Sequence, residues 1–376
     1  MGGTINIGKI AGIQISLHWS WIFIFALMTW SFASSDGILE SYTDWSTERR
    51  IAAAVIIAGI FFASILAHEL SHSLVAKAKG IPVTGITLFV FGGVSNLGRD
   101  AQSASEEFQV AIVGPLTSIV IGGLFAVVWL ALRPSAPNEA NVAAYLAFIN
   151  TVIGLFNLLP GYPLDGGRVL RAIVWARSHS VLRATRIAAR TGEAVAYLMM
   201  AGGALQFLFL DNAIGGVWMF MIGLFLRNAS SGSYEQLIVQ QTIGSLTATD
   251  LAKSDFARVD PEMTIARLVN DFMLMGRGRA YPVMAGDELL GLVTLTDVQH
   301  LERPAWETTS VYRAMTPREK LRTVSAQEPV LNVLQMMADG DINQVPVVDG
   351  RLLIGLISRT DIVRFINDRR ALLIES

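Results

Sequence analysis

The chain has no cysteine. This absence excludes disulfides, thiolate zinc sites, iron–sulfur clusters and a cysteine nucleophile, so any bound metal must be held by histidine and carboxylate side chains. Charged residues are scarce at 16%, and a formal net charge of −2 excludes the basic excess of a nucleic-acid-binding protein, so we expect no nucleic acid partner. What the 376 residues do contain is 52% hydrophobic side chains, which favours a membrane protein.

Six apolar stretches approach the roughly 20 residues that a helix needs to cross a bilayer. We predict membrane-spanning helices at about 13–33, 51–77, 107–132, 141–160, 193–210 and 213–227. The N-terminus has no cleavage pattern of small residues, which predicts that the first stretch is retained as a span. Arginines gather between the fourth and fifth stretches. By the positive-inside rule this segment, both termini and the C-terminal domains face the cytosol. The arginines are Arg168, Arg171, Arg177, Arg183, Arg186 and Arg190.

The C-terminal part contains an internal repeat. The segment YPVMAGDELLGLVTLTDV matches VPVVDGRLLIGLISRTDI, and Pro282 and Pro346 show the common offset of 64 residues (346 − 282). Each copy alternates helical and short strand patterns, and a unit this small is expected to pair with its twin to bury both apolar faces. We predict four segments in the chain. They are a membrane domain at 1–228, a linker at 229–242, and the two repeated domains at 243–303 and 304–376.

The second apolar stretch contains the pattern His-Glu-x-x-His. On a helix, His68 and His72 project from one face and can bind one metal ion, while Glu69 lies beside them, where it can take a proton from an attacking water. The alternative is a helix with two buried histidines that bond to neighbouring side chains. We favour the metal site because ionisable residues within a membrane are costly and usually functional.

A catalytic zinc site needs three protein ligands and one open position. Asp165 is the candidate third ligand, in the segment NLLPGYPLDGGR that ends the fourth apolar stretch. Proline and glycine interrupt the helix there, so irregular backbone can bring the carboxylate to the metal. An ordinary turn, in which Asp165 caps a helix that starts near Gly167, explains the spacing equally well.

The motifs HELSHSL and NLLPGYPLDGGR, together with the repeated C-terminal unit, resemble the site-2 protease family of intramembrane zinc metalloproteases, peptidase family M50, in its branch with CBS domains. The resemblance covers nearly the whole chain. It implies one zinc ion per chain, with His68, His72 and Asp165 as its ligands. It also implies that Glu69 is the general base and that Asn157 binds the substrate carbonyl or the developing oxyanion.

The expected fold is therefore an α-helical polytopic membrane domain of about six transmembrane helices with a membrane-associated β-hairpin, followed by an α/β tandem CBS-domain pair. The hairpin is predicted at residues 84–98, with its turn at Gly92 and Gly93. One edge of the hairpin can accept an extended substrate by strand addition, and a purely structural hairpin is an equally good interpretation.

Three further histidines need an interpretation. His18, at the cytosolic end of the first stretch, can act as a gate or a transient fourth ligand, but we favour an interfacial residue among tryptophans. His179 and His300 lie in polar stretches and are predicted to be surface residues.

Each repeat ends in the pattern Gly-x-x-[Ser/Thr]-x-x-Asp, which places Thr294 with Asp297 and Ser358 with Asp361. The pattern is similar to the adenosine-nucleotide sites of CBS pairs and implies ATP or AMP as a ligand at these residues. The same residues are good helix N-caps, and a CBS pair can serve only as a dimerisation or docking surface, so both interpretations stay open. The resemblance also implies a homodimer formed through the CBS domains.

The predicted function is intramembrane proteolysis by zinc-activated water. The substrate is expected to be a transmembrane protein in the lipid bilayer of the cell membrane, such as an anti-sigma or pro-sigma factor, cut in or near its membrane helix. A CBS-regulated membrane cation transporter is the competing interpretation, since it also explains the spans, the C-terminal domains and intramembrane His and Asp. It leaves Glu69, directly after the first histidine, without a role.

Overall fold

The computed structural model describes residues 3–34, 39, 45–90, 92–209, 213–275 and 280–374. The chain divides into two compact units, Met1–Glu235 and Gln236–Ser376. The long helices of the described residues are α1 to α7, in chain order Trp19–Ala33, Thr47–Ala78, Ala104–Leu132, Pro137–Asn157, Asp165–Ser178, Val181–Phe209 and Ala213–Ile243.

Five of these helices, α2, α3, α4, α6 and α7, are long and apolar enough to cross a membrane. α1 has 15 residues, and the predicted helix at 13–33 is wrong over its first part because Ile13–His18 is a β-strand. The count of about six spans stays a prediction. α6 begins at Val181 rather than near 193, because its first turns carry the arginines that lowered the hydropathy of the sequence there.

A four-stranded sheet lies in the N-terminal unit. It consists of β1 (Thr4–Ile10), β2 (Ile13–His18), β3 (Val83–Phe89) and β4 (Gly92–Leu97), in the order β1-β2-β3-β4. β2 pairs parallel with β3, and the other two pairs are antiparallel. The inward side chains of β2 and β3 are buried against α2, which fixes the sheet beside the His-Glu-x-x-His helix.

The hairpin predicted at 84–98 is confirmed as β3 and β4, but its turn was misplaced. Gly92 and Gly93 are strand residues of β4 and pair with Phe89 and Leu88. A glycine is needed at 93 for a different reason. A Cβ atom there would overlap Cγ of Glu69, so the strand crosses this side chain at a distance that only glycine allows.

Helix packing brings α3 against α2, α4 and α5. α3 and α4 approach closely through small residues, as helices in membranes often do. A Cβ at Gly122 would lie 2.5 Å from Oγ1 of Thr151 and 3.0 Å from the carbonyl oxygen of Ala147, so the backbones come together at this glycine. A separate apolar core joins α1, α2 and α4 around Phe61, Phe62 and Leu146. α3 is therefore the helix that contacts both elements of the predicted metal site.

The C-terminal unit is an α/β structure of two similar halves. Its strands are β5 (Ala280–Ala285), β6 (Glu288–Thr294), β7 (Thr316–Pro317), β8 (Val324–Ser325), β9 (Gln344–Asp349) and β10 (Leu352–Ser358). Its helices are α8 to α13, in chain order Ala248–Leu251, Ile265–Leu268, Leu295–Gln299, Val311–Ala314, Val330–Asp339 and Arg359–Ile374. The strand order is β5-β6-β10-β9-β8, with β7 on β6.

The two halves share a core, as expected for a duplicated unit. The hairpins β5–β6 and β9–β10 start 64 residues apart (344 − 280), and β6 pairs with β10 at the centre of the sheet. One cluster takes Leu289 and Leu292 from the first half and Leu353 and Leu356 from the second. The segment 229–242, predicted as the linker, is helical and belongs to α7. The predicted domain bounds stay a prediction.

Candidate metal centre

The structure brings His68, His72 and Asp165 together, although Asp165 is 97 residues from His68 along the chain. Oδ2 of Asp165 lies 3.0 Å from Nε2 of His68 and 3.1 Å from Nε2 of His72, and the two imidazole nitrogens are 3.2 Å apart. The donor atoms all lie within 4.8 Å of one another. Both histidines are 5% exposed, and the Asp165 side chain is 14% exposed. The three side chains therefore form one enclosed cluster.

These three residues fit a zinc ion. With zinc–nitrogen and zinc–oxygen bonds of 2.0–2.1 Å, the ligands of a tetrahedral site lie about 3.3 Å apart, close to the separations found here. Nδ1 of His72 lies 2.6 Å from the carbonyl oxygen of Val110, which can only accept, so this nitrogen carries the proton. A neutral His72 then directs a bare Nε2 at the other two donors. Three electron-pair donors that face one another need a cation between them.

Asp165 is held in its charged form. Burial raises the pKa of this carboxyl, but hydrogen bonds and positive charge from the two imidazoles that face Oδ2 outweigh burial and hold the pKa well below its usual range. That stabilisation requires a proton on an imidazole nitrogen, and a zinc ion between the three donors would supply the positive charge in its place.

The backbone around Asp165 explains how a residue outside the long apolar helices reaches the site. α4 ends at Asn157, the chain folds back over the start of α5, and Asp165 is the first residue of α5. Gly166 and Gly167 permit this, because a Cβ on either would overlap the carbonyl of Leu158 or the backbone of Gly161. α5 has no side-chain N-cap bond, so Asp165 does not cap it and its carboxylate faces the histidines instead.

Glu69, the candidate general base, contacts β4. The hydroxyl of Ser95 donates to Oε2 of Glu69 at 3.0 Å, and the hydroxyl of the buried Ser73 lies 3.1 Å from that of Ser95. Ser95 therefore fixes the carboxylate at one oxygen. No sequence pattern indicates this contact, because a serine in a short strand has no recognisable role until the strand is placed over the helix.

Asn157 is the last residue of α4 and is partly buried. In the described part of the chain, the hydrogen bonds to the three candidate ligands come from other residues, so its role stays a prediction. His18 ends β2 and caps α1, with Nδ1 2.8 Å from the hydroxyl of Ser20. His179 and His300 are exposed, as predicted.

A buried ion pair that the sequence did not reveal joins α3 to α5. Glu107 on α3 is fully buried and accepts from Nε of Arg171 on α5 at 2.6 Å, and Nε of Arg168 lies 3.9 Å from the same oxygen. Arg168 and Arg171 were assigned to membrane topology. The structure shows that they also attach the helix that carries Asp165 to α3.

The candidate nucleotide residues form helix caps. The hydroxyl of Thr294 donates to Oδ2 of Asp297 at 2.7 Å, and the two residues form a capping box at α10. Ser358 and Asp361 make the equivalent contact at 2.6 Å at α13, where Lys253 also lies 2.5 Å from Asp361. The structure thus brings each predicted pair together and places it at a helix start.

Two family models match the chain. The model of peptidase family M50 matches residues 56–140 and 135–201, which contain the three clustered side chains and Glu69. The model of the CBS domain matches residues 242–302 and 311–368, the two halves of the C-terminal unit.

Relatives match almost the full length. A curated protein of Mycobacterium tuberculosis named "Putative zinc metalloprotease Rip3" is 33% identical over 375 residues, which are 98% of this chain and 94% of that protein. "Zinc metalloprotease MJ0392" of Methanocaldococcus jannaschii is 29% identical over 97% of this chain and 96% of its own length. Among solved structures, the site-2 protease from Methanocaldococcus jannaschii is 28% identical and covers 61% of this chain and 94% of its own, with a TM-score of 0.43.

A zinc-type donor set in an apolar helical domain, followed by a CBS pair, defines a membrane metalloprotease with a C-terminal accessory module. The chain belongs to peptidase family M50, the site-2 protease family of zinc metalloproteases, in its branch with CBS domains.

Proposed function

We propose that this chain is an intramembrane zinc endopeptidase that cleaves a peptide bond in or near the transmembrane helix of a membrane protein. The convergence of His68, His72 and Asp165 carries the proposal. Two of these residues lie on α2, a helix long and apolar enough to cross a membrane, so the site belongs to the hydrophobic part of the molecule. Water is scarce there, and a hydrolase needs polar side chains to hold it.

The chemistry divides among few residues. His68, His72 and Asp165 would hold a zinc ion, and its Lewis acidity would polarise the scissile carbonyl and lower the pKa of water. Glu69 accepts the proton of the attacking water and returns it to the leaving amine, while Ser95 keeps the carboxylate oriented. Asn157 donates from its amide to the oxygen of the scissile carbonyl as negative charge develops there.

Substrate binds, in this proposal, by adding a strand to β4. In the described part of the chain β3 is the one strand neighbour of β4, and Ser95 of β4 contacts the general base. A substrate helix has its peptide bonds satisfied internally, so an unwound segment must find replacement partners, and a strand edge supplies them. Val94→Pro or Asn96→Pro should reduce cleavage at unchanged zinc content, whereas Ile7→Pro in β1 should not. Unchanged cleavage in both β4 variants contradicts docking.

The proposed topology places the connection between α5 and α6 in the cytosol, together with both termini. The arginines of α5 and α6 support it by the positive-inside rule. The natural absence of cysteine makes the test direct, because Ser180→Cys introduces a single thiol. A membrane-impermeant maleimide should label this thiol in inverted vesicles and leave it unlabelled in intact cells. The reverse pattern contradicts the orientation.

The proposal extends to regulation and substrate class. The CBS pair would bind ATP or AMP through Thr294, Asp297, Ser358 and Asp361, form a homodimer, and control cleavage of membrane-bound regulators such as anti-sigma or pro-sigma factors. Support comes from the CBS family match and the Ser/Thr–Asp pairs at two helix starts. Titration calorimetry of the full chain with ATP, ADP and AMP should give heat, and Asp361→Asn should reduce it. No heat with any of the three contradicts nucleotide binding.

The decisive experiment is Glu69→Gln in the purified full chain, with single-span membrane proteins as co-expressed substrates and a metal chelator as a control. We expect stoichiometric zinc and a loss of about 10²–10⁴-fold in turnover, the usual contribution of a general base. The exposed Glu139→Gln is the matched control and should cleave normally. A transporter predicts the opposite outcome, in which Glu69→Gln keeps its cation flux and no substrate is cleaved by either chain.

A further inference from the structure

One face of α3 contacts both candidate histidine ligands. Val110, Gly114 and Ser118 are spaced by four residues, so they lie on the same side of the helix, one turn above another. Val110 and Gly114 are buried, and Ser118 is 1% exposed. Each residue affects the imidazoles differently. Val110 offers its carbonyl oxygen, Gly114 leaves space because it has no side chain, and Ser118 offers its hydroxyl.

The carbonyl comes first along the helix. The Val110 oxygen accepts from Nδ1 of His72 at 2.6 Å, so the α3 backbone sets the tautomer of this histidine. Metal-binding histidines in proteins generally donate their second ring nitrogen in this way, which orients the ring and raises the basicity of the metal-binding nitrogen.

The gap is Gly114. A Cβ atom there would overlap Nε2 of His72 and would lie 2.7 Å from Nε2 of His68. Any side chain at this position would occupy the space in which the two donor nitrogens face each other. Glycine is therefore required by the site itself, in addition to any need of helix packing.

The hydroxyl belongs to Ser118. Oγ of Ser118 lies 2.8 Å from Nδ1 of His68, and both side chains are buried. Serine and threonine in helices often bond to the carbonyl one turn earlier, as the neighbouring Thr117 does with Val113 at 2.8 Å. The described contact of Ser118 instead crosses from α3 to α2 and ends on a candidate ligand.

We propose that Ser118 is a positioning residue that accepts a hydrogen bond from Nδ1 of His68 and so keeps its Nε2 bare and directed at the metal. The inference rests on the proposed function and extends it, because it names a residue outside the ligand set that controls zinc affinity. Ser118 acts on His68 as the Val110 carbonyl acts on His72, and Gly114 leaves the room in which both nitrogens meet.

A purely structural role predicts something different. If Ser118 were only a small residue between α2 and α3, its hydroxyl would be irrelevant and alanine would serve equally well. If it is a positioning residue, loss of the hydroxyl lowers zinc affinity even when the fold is unchanged. Mutation of a residue that hydrogen-bonds to a metal ligand typically weakens metal binding 10- to 100-fold.

The test compares the full chain with Ser118→Ala, Ser118→Thr and the matched control Thr117→Ala. Zinc affinity is measured by competition with a chelator, and the absorption spectrum of the cobalt-substituted protein reports ligand geometry. We expect 10- to 100-fold weaker zinc binding and an altered cobalt spectrum for Ser118→Ala, with an unchanged thermal midpoint of the metal-free protein, and wild-type affinity for Thr117→Ala. Ser118→Thr, which keeps the hydroxyl, should bind at least tenfold more tightly than Ser118→Ala. Gly114→Ala should lose zinc at least as severely as Ser118→Ala.

Wild-type zinc affinity and cobalt spectrum in Ser118→Ala overturn the proposal. Equal weakening in Ser118→Ala and Ser118→Thr also overturns it, because size rather than the hydroxyl would then be responsible. The proposed function is tested separately with the wild-type chain. It fails if that chain does not bind one zinc ion or does not cleave any membrane substrate.

Discussion

The ion pair between α3 and α5 gives the most quantitative prediction. Glu107 is fully buried, the Arg171 side chain is 14% exposed, and Oε2 of Glu107 has no hydrogen-bond partner among the described residues. Glu107→Gln keeps the shape and removes the charge, which leaves Arg171 without its counter-ion. Removing one member of a buried pair costs about 3–5 kcal/mol, and each kcal/mol shifts the midpoint of a domain of this size by about 2–4 °C. We therefore expect a midpoint lowered by about 6–20 °C.

The assay is thermal unfolding in detergent, followed by intrinsic tryptophan fluorescence. Seven of the eight tryptophans lie in Met1–Glu235, so the signal reports the unit that holds the pair. Glu139→Gln removes an exposed carboxylate of the same unit and should change its stability by about 0.5 kcal/mol or less. The double variant Glu107→Gln/Arg171→Gln should recover much of the loss, because no uncompensated charge is then left buried. A shift below about 2 °C in Glu107→Gln, or strictly additive losses in the double variant, refutes the reasoning.

Two further predictions concern Ser95 in the N-terminal unit and Asp361 in the C-terminal unit. Ser95→Ala removes the hydrogen bond to Glu69 and should lower turnover about tenfold at unchanged zinc content, since a bond to a charged group contributes about 1.5 kcal/mol or more; normal turnover contradicts it. Burial raises the pKa of Asp361, but hydrogen bonds from Lys253 and Ser358 outweigh burial and hold the pKa below its usual value. The resulting stabilisation of the C-terminal unit is complete above the unfolded pKa of about 3.9 and is lost as pH falls through the folded pKa. Acid unfolding should therefore be less steep in Asp361→Asn, and an identical pH profile contradicts this.

The sequence was sufficient to predict that the two histidines lie together, because residues four apart project from the same face of an α-helix. His68 and His72 lie on one face of any α-helix, whatever the rest of the chain does. Asp165 was different, since its spacing fitted a cap as well as a ligand. The choice depends on the fold-back of the chain after Asn157, which two glycines permit through contacts that no local pattern reveals.

The errors have a common physical origin. Because hydropathy was averaged over a long window, Ile13–His18 was included in a predicted span. In the structure this segment is a strand that buries mainly one face. Gly92 and Gly93 were interpreted as a turn because glycine favours turns, yet a glycine in a strand also marks a close backbone approach. Both errors arise because the deciding partner, β3 or Glu69, is distant in sequence.

The residues that support the ligands were invisible in the sequence. Ser118 lies in an apolar helix, where one hydroxyl group carries no periodic signal, and Glu107 lies near the start of the same helix, where acidic residues are common. Each becomes meaningful only when α3 is placed against α2 and α5.

The Val110 carbonyl has a consequence for how this centre can be altered. His72 is oriented by a peptide group, so substitutions that preserve the helix leave its hydrogen-bond acceptor unchanged, and a mutational scan at position 110 would report the packing of the buried Val110 side chain rather than the orientation of His72. His68 is oriented by a side chain, which mutation can replace. Among the described hydrogen bonds that orient the two histidines, attempts to exchange zinc for another ion therefore have one side chain outside the ligand set to alter, at residue 118, while the second histidine is oriented by the main chain.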